Sequence, residues 1–122
     1  MIEPATEFGN LNGSPFVKEV RPLSDDERAT LMDVAALLQE KGLTDRVGIS
    51  LLHKHFDLAA DEVMVEEESQ GSRVLTSAPA KVESLLGRSY LETNWRIEDG
   101  KLIPIGACAT GMYGQHYGYK ND

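Results

Sequence analysis

The stretch ETNWRIEDGKLIP at residues 92–104 carries the clearest hairpin signal in the sequence. Its centre is Asp99-Gly100, a dipeptide that favours a two-residue turn in which both residues adopt positive φ. The residues on both sides of the turn alternate between apolar and polar, as they do in half-buried strands. We therefore predict two antiparallel strands joined by a tight turn.

The register of this hairpin follows from its turn. A two-residue turn pairs Glu98 with Lys101 and Trp95 with Pro104. Proline has no N–H to donate to a strand ladder, so we expect the nitrogen of Pro104 to face an edge or a bulge.

A helix is predicted over residues 25–41. Ser24 and Glu27 match an S-x-x-E capping box, in which the side-chain oxygen of each residue can accept a hydrogen bond from the backbone N–H of the other. Gly42 then ends the helix in a left-handed conformation. Apolar residues recur at helical spacing between these two signals: Leu31, Val34, Ala35, Leu37 and Leu38.

The remaining elements are shorter. Residues 47–56, VGISLLHKHF, alternate like a strand, and residues 62–68 predict a second strand that forms a hairpin with it. A further short strand is predicted at Val74-Leu75, and Pro79 is expected to open a short helix over about residues 80–86. The sequence thus predicts an α+β fold with an antiparallel or mixed sheet of about five strands, packed with the main helix and the short one.

Length and composition are typical of a single domain over residues 1–122, with a loose arm at about 1–14 and a Gly/Tyr-rich tail at about 106–122. The net charge of −8 disfavours nucleic-acid binding, because the phosphate backbone would be repelled. No apolar run approaches the roughly 20 residues that span a bilayer, so we expect no membrane association. The single cysteine, Cys108, and a polar N-terminus favour a reducing, cytoplasmic location.

His53 and His55 are the candidate catalytic residues. Two positions apart on a strand, their imidazoles would leave the same face and lie side by side. They could act in acid–base chemistry near neutral pH, or bind a divalent metal such as zinc or iron with His116 as third ligand. Other candidates for the third ligand are Cys108 and three carboxylates: Glu62, Glu66 and Glu68. The alternative is that both histidines are structural, since H-x-H alone is a weak motif.

Trp95 is predicted to lie in the core, with a ligand-stacking wall as the alternative. Tyr113 and His116 in the tail are further candidate ligand-binding residues, and with Tyr117 and Tyr119 they could close over a pocket or form a homo-oligomer interface. The sequence has no phosphate-binding loop, no G-x-S-x-G nucleophile elbow and no C-x-x-C motif. Nucleotide-phosphate chemistry, the usual hydrolase triads and thiol exchange are therefore unsupported.

Two functional hypotheses follow. In the first, the chain is a small-ligand pocket protein, possibly a small enzyme, that uses His53 and His55 on a small polar molecule. In the second, it is a non-catalytic, acidic interaction domain that binds a basic protein partner, and the histidines are structural.

Overall fold

A computed structural model describes residues 7–69 and 71–109, and these residues form two compact units. The sheet unit comprises the described residues of 1–13 and 56–122. The helical unit comprises Ser14–His55. The α+β class predicted from the sequence is confirmed, with one main helix and a mixed sheet.

The sheet has four strands among the described residues, where about five were predicted. They are β1 (Glu62–Glu68), β2 (Leu75–Lys81), β3 (Tyr90–Glu98) and β4 (Lys101–Ala109), in the spatial order β2-β1-β4-β3. The two hairpins, β1–β2 and β3–β4, are antiparallel. They meet along the parallel pair β1–β4 at the centre of the sheet.

The hairpin predicted from Asp99-Gly100 is confirmed. Asp99 has φ 52° and Gly100 has φ 74°, as a turn of this type requires. Trp95 lies opposite Pro104, which is the predicted register. Asp99 is the one described non-glycine residue with positive φ, and its short side chain tolerates that conformation.

Pro104 occupies a position where its missing N–H is harmless. Its carbonyl accepts a hydrogen bond of 2.8 Å from the N–H of Gly9. Because the N and O of one strand residue point to the same side, the nitrogen of Pro104 faces the segment at Gly9 and not β3. The register of β3 also shifts locally at Asn94.

The core lies on one face of the sheet. Val63, which is fully buried, and Val65 point to this face from β1. The other buried members of the cluster are Leu85, Ala107 and Ala109, and the partly buried residues packed against it are Phe8, Ala80, Val82 and Tyr90. Phe8 and Tyr90 contact each other with their ring centroids 6.2 Å apart, so residues that the sequence assigned to a loose arm are attached to the sheet.

The helical unit is built around α1 (Asp25–Glu40), close to the predicted helix. The capping box is present, since the Ser24 hydroxyl accepts from the N–H of Glu27 and the Glu27 carboxylate accepts from the N–H of Ser24. Gly42 has φ 72°, as expected for the residue that ends a helix. None of the residues from Ser14 to His55 is buried.

The predicted strand over residues 47–56 is wrong. Within this stretch, only Lys54 is paired, through a single parallel bridge to Phe16. Apolar alternation identifies a segment that suits a pleated surface, but a strand exists only when a second strand completes its ladder. No strand of the described residues pairs with residues 47–53, so the predicted hairpin with β1 does not form either.

Two further sequence assignments change. Pro79 lies within β2, and the short helix is a 3-10 turn at Val82–Leu85. Residues 106–109, assigned to the tail, complete β4 and belong to the core strand. Here tertiary pairing prevails over local glycine and proline signals.

Candidate functional site

The two predicted catalytic residues lie next to each other, although not on a strand. The ring centroids of His53 and His55 are 5.1 Å apart, and the ring planes meet at 79°, edge to face. His53 is half-buried and His55 is exposed. The Nδ1 of His53 lies 3.0 Å from the carbonyl oxygen of Leu51. A proton on Nδ1 would donate to that carbonyl and leave Nε2 as the acceptor.

The predicted metal site has no complete set of ligands among the described residues. Within residues 7–69 and 71–109, no three His, Cys, Asp or Glu side chains come together as a metal-binding group. His116, the first candidate for third ligand, lies outside the described residues, as do Tyr113, Tyr117 and Tyr119. Catalysis or metal binding by His53 and His55 therefore stays a prediction.

Trp95 is exposed on one face of the sheet, which corrects its assignment to the core. We call this the open face, and define it by its four exposed apolar side chains: Leu91, Trp95, Ile97 and Leu102. Trp95 is 40% exposed and Ile97 is 76% exposed. The Trp95 indole N–H reaches a carboxylate oxygen of Glu92 at 3.4 Å, a long hydrogen bond.

The opposite face of β3 is polar and yet it is the covered one. Arg96 is half-buried there, and its guanidinium donates to the carbonyl of Asn10 at 2.7 Å and to Glu98 at 3.1 Å. A sheet with one face in water normally has its apolar side chains inward and its polar side chains outward. β3 has the reverse arrangement.

Acidic side chains border the open face. Glu66 lies beside Cys108 on the neighbouring strand, and Cys108 lies opposite Leu91. Glu66 is therefore two strands, or about 10 Å, from Leu91 on the same face. Glu68 follows Glu66 on this face of β1, and neither carboxylate has an ion pair with a described residue. In the described part of the sheet unit, the acids that do form ion pairs are Asp61 with Lys81, Glu67 with Arg88 and Glu98 with Arg96.

The helical unit contains a groove between α1 and the segment at residues 49–51. We call it the helix groove; its volume is about 390 Å³. Its lining residues are Leu23, Glu27, Thr30, Leu31, Ile49, Ser50 and Leu51. Neither His53 nor His55 lines it, so the histidine pair and the helix groove are separate features of this unit.

Comparison with protein-family models, with curated proteins and with solved structures finds no match to this chain. Within the described residues, no helix has the length and apolar character that crossing a bilayer requires.

The sequence interpretation missed most of the open face, and the signal was present in the alternation of β3. The alternation of apolar and polar residues predicts that Trp95 faces the core, whereas the structure exposes that side of the strand. Nothing local in the sequence distinguishes a face that packs on its own chain from one that packs on another molecule.

Proposed function

We propose that this chain is a protein-binding domain whose open face takes an apolar, positively charged segment of a partner protein. The observation that carries the proposal is the inverted arrangement of β3, which turns Leu91, Trp95 and Ile97 outward while Arg96 is half-buried. Several large apolar side chains exposed on one face are typical of interaction sites on soluble proteins.

The composition of the open face supports a protein partner. It presents a tryptophan among aliphatic side chains, and tryptophan is enriched among the few residues that dominate binding energy at interfaces. Ile97 and Leu102 lie opposite each other across the hairpin, so they would extend the contact beyond the indole ring. In the complex, Ile97 and Leu102 would border Trp95 and exclude water from it.

The charge of the partner follows from the charge of the sheet unit. Its described residues carry eleven acidic side chains and five basic ones, so most of the chain's net charge of −8 lies in this unit. Glu66 and Glu68 border the open face, and neither forms an ion pair with a described residue. Lys or Arg flanking the apolar residues of the partner would complement them, whereas a second copy of this chain would bring like charges together.

The probe is a helical peptide of about 14 residues, roughly four turns, with leucine on one face and lysine on the other. Its affinity is measured by calorimetry against a matched peptide in which glutamate replaces lysine. We expect the lysine peptide to bind at least roughly tenfold more tightly, and its binding to weaken as salt is raised. Equal binding of the two peptides, or formation of a salt-resistant homodimer instead, would overturn the proposal.

Matched variants assign the binding to the open face. Trp95→Ala should reduce the affinity about tenfold or more, while Leu37→Ala, at an exposed apolar position on α1, should leave it unchanged. The double change Glu66→Gln and Glu68→Gln should reduce the salt dependence, whereas Glu83→Gln, in the 3-10 turn, should not. An equal loss in Trp95→Ala and Leu37→Ala would mean that the peptide binds apolar surface without selectivity.

A further inference from the structure

The helix groove has the size of a small-molecule site and shares no lining residue with the open face. Its volume of about 390 Å³ falls within the range of roughly 300–1,000 Å³ that is usual for ligand pockets. One wall is formed by Glu27, Thr30 and Leu31, which share a face of α1 because they are three and four positions apart. The other wall is the irregular segment at residues 49–51.

Among the described residues that line the helix groove, Glu27 is the only charged one, and Arg21 balances its charge. Glu27 accepts hydrogen bonds of 2.9 and 2.7 Å from the two terminal guanidinium nitrogens of Arg21, and one of 2.9 Å from the N–H of Ser24. Both carboxylate oxygens are occupied in this way. Because Arg21 and Glu27 balance each other's charge, the pair offers little net attraction to a cationic or an anionic ligand.

The remaining polar groups of the wall are two hydroxyls. Thr30 donates its proton to the carbonyl of Asp26 at 3.3 Å, so its oxygen keeps lone pairs that can accept. The Ser50 hydroxyl makes no hydrogen bond with any of the described residues and can both donate and accept. The other wall residues, Leu23, Leu31, Ile49 and Leu51, are apolar.

We propose that the helix groove binds a small, uncharged and mainly apolar molecule that carries one hydroxyl or carbonyl group. The four aliphatic side chains would cover the apolar part of the ligand. Ser50 would hydrogen-bond the polar group. Because the charge of Glu27 is balanced by Arg21, a charged ligand would lose its hydration without gaining a counter-ion.

The test uses three probes that share a ten-carbon chain and differ in the charge of one end: decanol, decanoate and decylammonium. Binding to the full chain is followed by NMR through the amide signals of Leu31, Ile49 and Ser50. We expect decanol to shift these signals with a Kd at least about tenfold below that of either charged probe. Equal affinities for the three probes, or shifts spread evenly over exposed apolar residues, would overturn the proposal.

Two variants at neighbouring positions provide the control. Leu31→Phe should fill the helix groove and abolish decanol binding, whereas Met32→Phe, at a 65% exposed position that does not line it, should not. If Leu31→Phe loses its helical circular dichroism, Ser50→Ala serves as the test instead. It removes one hydrogen bond and should weaken the binding of decanol roughly three- to tenfold. Unchanged decanol affinity in folded Ser50→Ala, or an equal loss in the two phenylalanine variants, would contradict the assignment.

Since Trp95 does not line the helix groove, Trp95→Ala should bind decanol normally, which separates this result from that of the open face.

Discussion

The side chain of Asn94 occupies the space into which a side chain at Gly106 would project. A Cβ atom at Gly106 would lie 2.9 Å from the Oδ1 of Asn94 and 3.4 Å from its Cβ. Gly106 is buried in the central strand β4, and the two residues pair at the point where the register of β3 shifts. The absence of a side chain at Gly106 therefore allows the hairpin to pack closely at this irregularity.

Gly106→Ala should consequently destabilise the sheet unit by about 1–3 kcal/mol, the usual range for overpacking a buried position. The free energy of unfolding, measured by chemical denaturation, checks this. Gly13→Ala is the control, because a Cβ there would meet nothing within 4 Å. Asn94→Ala should restore stability in the Gly106→Ala background, since it removes the oxygen responsible; a double variant as unstable as Gly106→Ala would contradict the explanation.

Adjacent leucines in the 3-10 turn test where the core lies. Leu85 is 2% exposed and belongs to the core cluster, whereas Leu86, the next residue, is 66% exposed. We expect Leu85→Ala to lower the free energy of unfolding by about 2–5 kcal/mol and Leu86→Ala to change it by less than about 0.5 kcal/mol. Thermal unfolding of both variants is the measurement. Similar losses for the two would mean that the turn does not attach to the core through Leu85.

Features specified by neighbouring residues could be predicted from the sequence. The β3–β4 hairpin depends on Asp99-Gly100, and α1 depends on the Ser24–Glu27 capping box and on Gly42. In each case a turn or a cap within a few residues sets the backbone geometry, so no distant contact is needed. The register of Trp95 against Pro104 followed from the turn alone.

Features that depend on distant partners could not be predicted in this way. Residues 47–53 have the alternation of a strand but lack a strand partner among the described residues. Trp95 has the neighbours of a core residue but lies on the open face. Which side of a strand is covered depends on what packs against it, and the sequence of the strand carries no information about that.

Acid should weaken the start of α1 through Glu27. Hydrogen bonds from the Arg21 side chain and from the N–H of Ser24 lower the pKa of the Glu27 carboxyl from 4.5 to about 2. A pKa that is lower in the folded state gives stability that is fully present above about pH 4.5 and is lost as the pH falls towards 2. The helical circular dichroism signal should therefore decline over this interval.

The variant Glu27→Gln isolates this effect. It cannot titrate, so its helical signal should already be lower at neutral pH and should change less between about pH 5 and pH 2. Glu40→Gln, at the other end of α1, leaves the capping box intact and should retain the acid response of the unchanged chain. An acid response of the same size in Glu27→Gln would assign it to other carboxyl groups.

Pro79 should protect the outer edge of the sheet. Among the described strands, β2 is paired on one side only. The N–H of Val82 donates to the backbone carbonyl of Asp61, and the residues of an antiparallel pair alternate between facing the partner strand and facing away. The backbone nitrogen of Pro79 therefore points away from β1. Its missing N–H therefore lies on the exposed edge, where it removes a donor that a foreign strand would need.

Pro79→Thr supplies that donor in a residue that favours strands, and we expect it to self-associate faster than the unchanged chain while its unfolding midpoint stays nearly the same. Light scattering at raised protein concentration follows the association. Pro22→Thr, which replaces a proline in the segment before α1, is the matched control because it leaves the sheet edge unaltered. Equal association of the two variants would mean that the loss of a proline, and not the new donor on β2, is responsible.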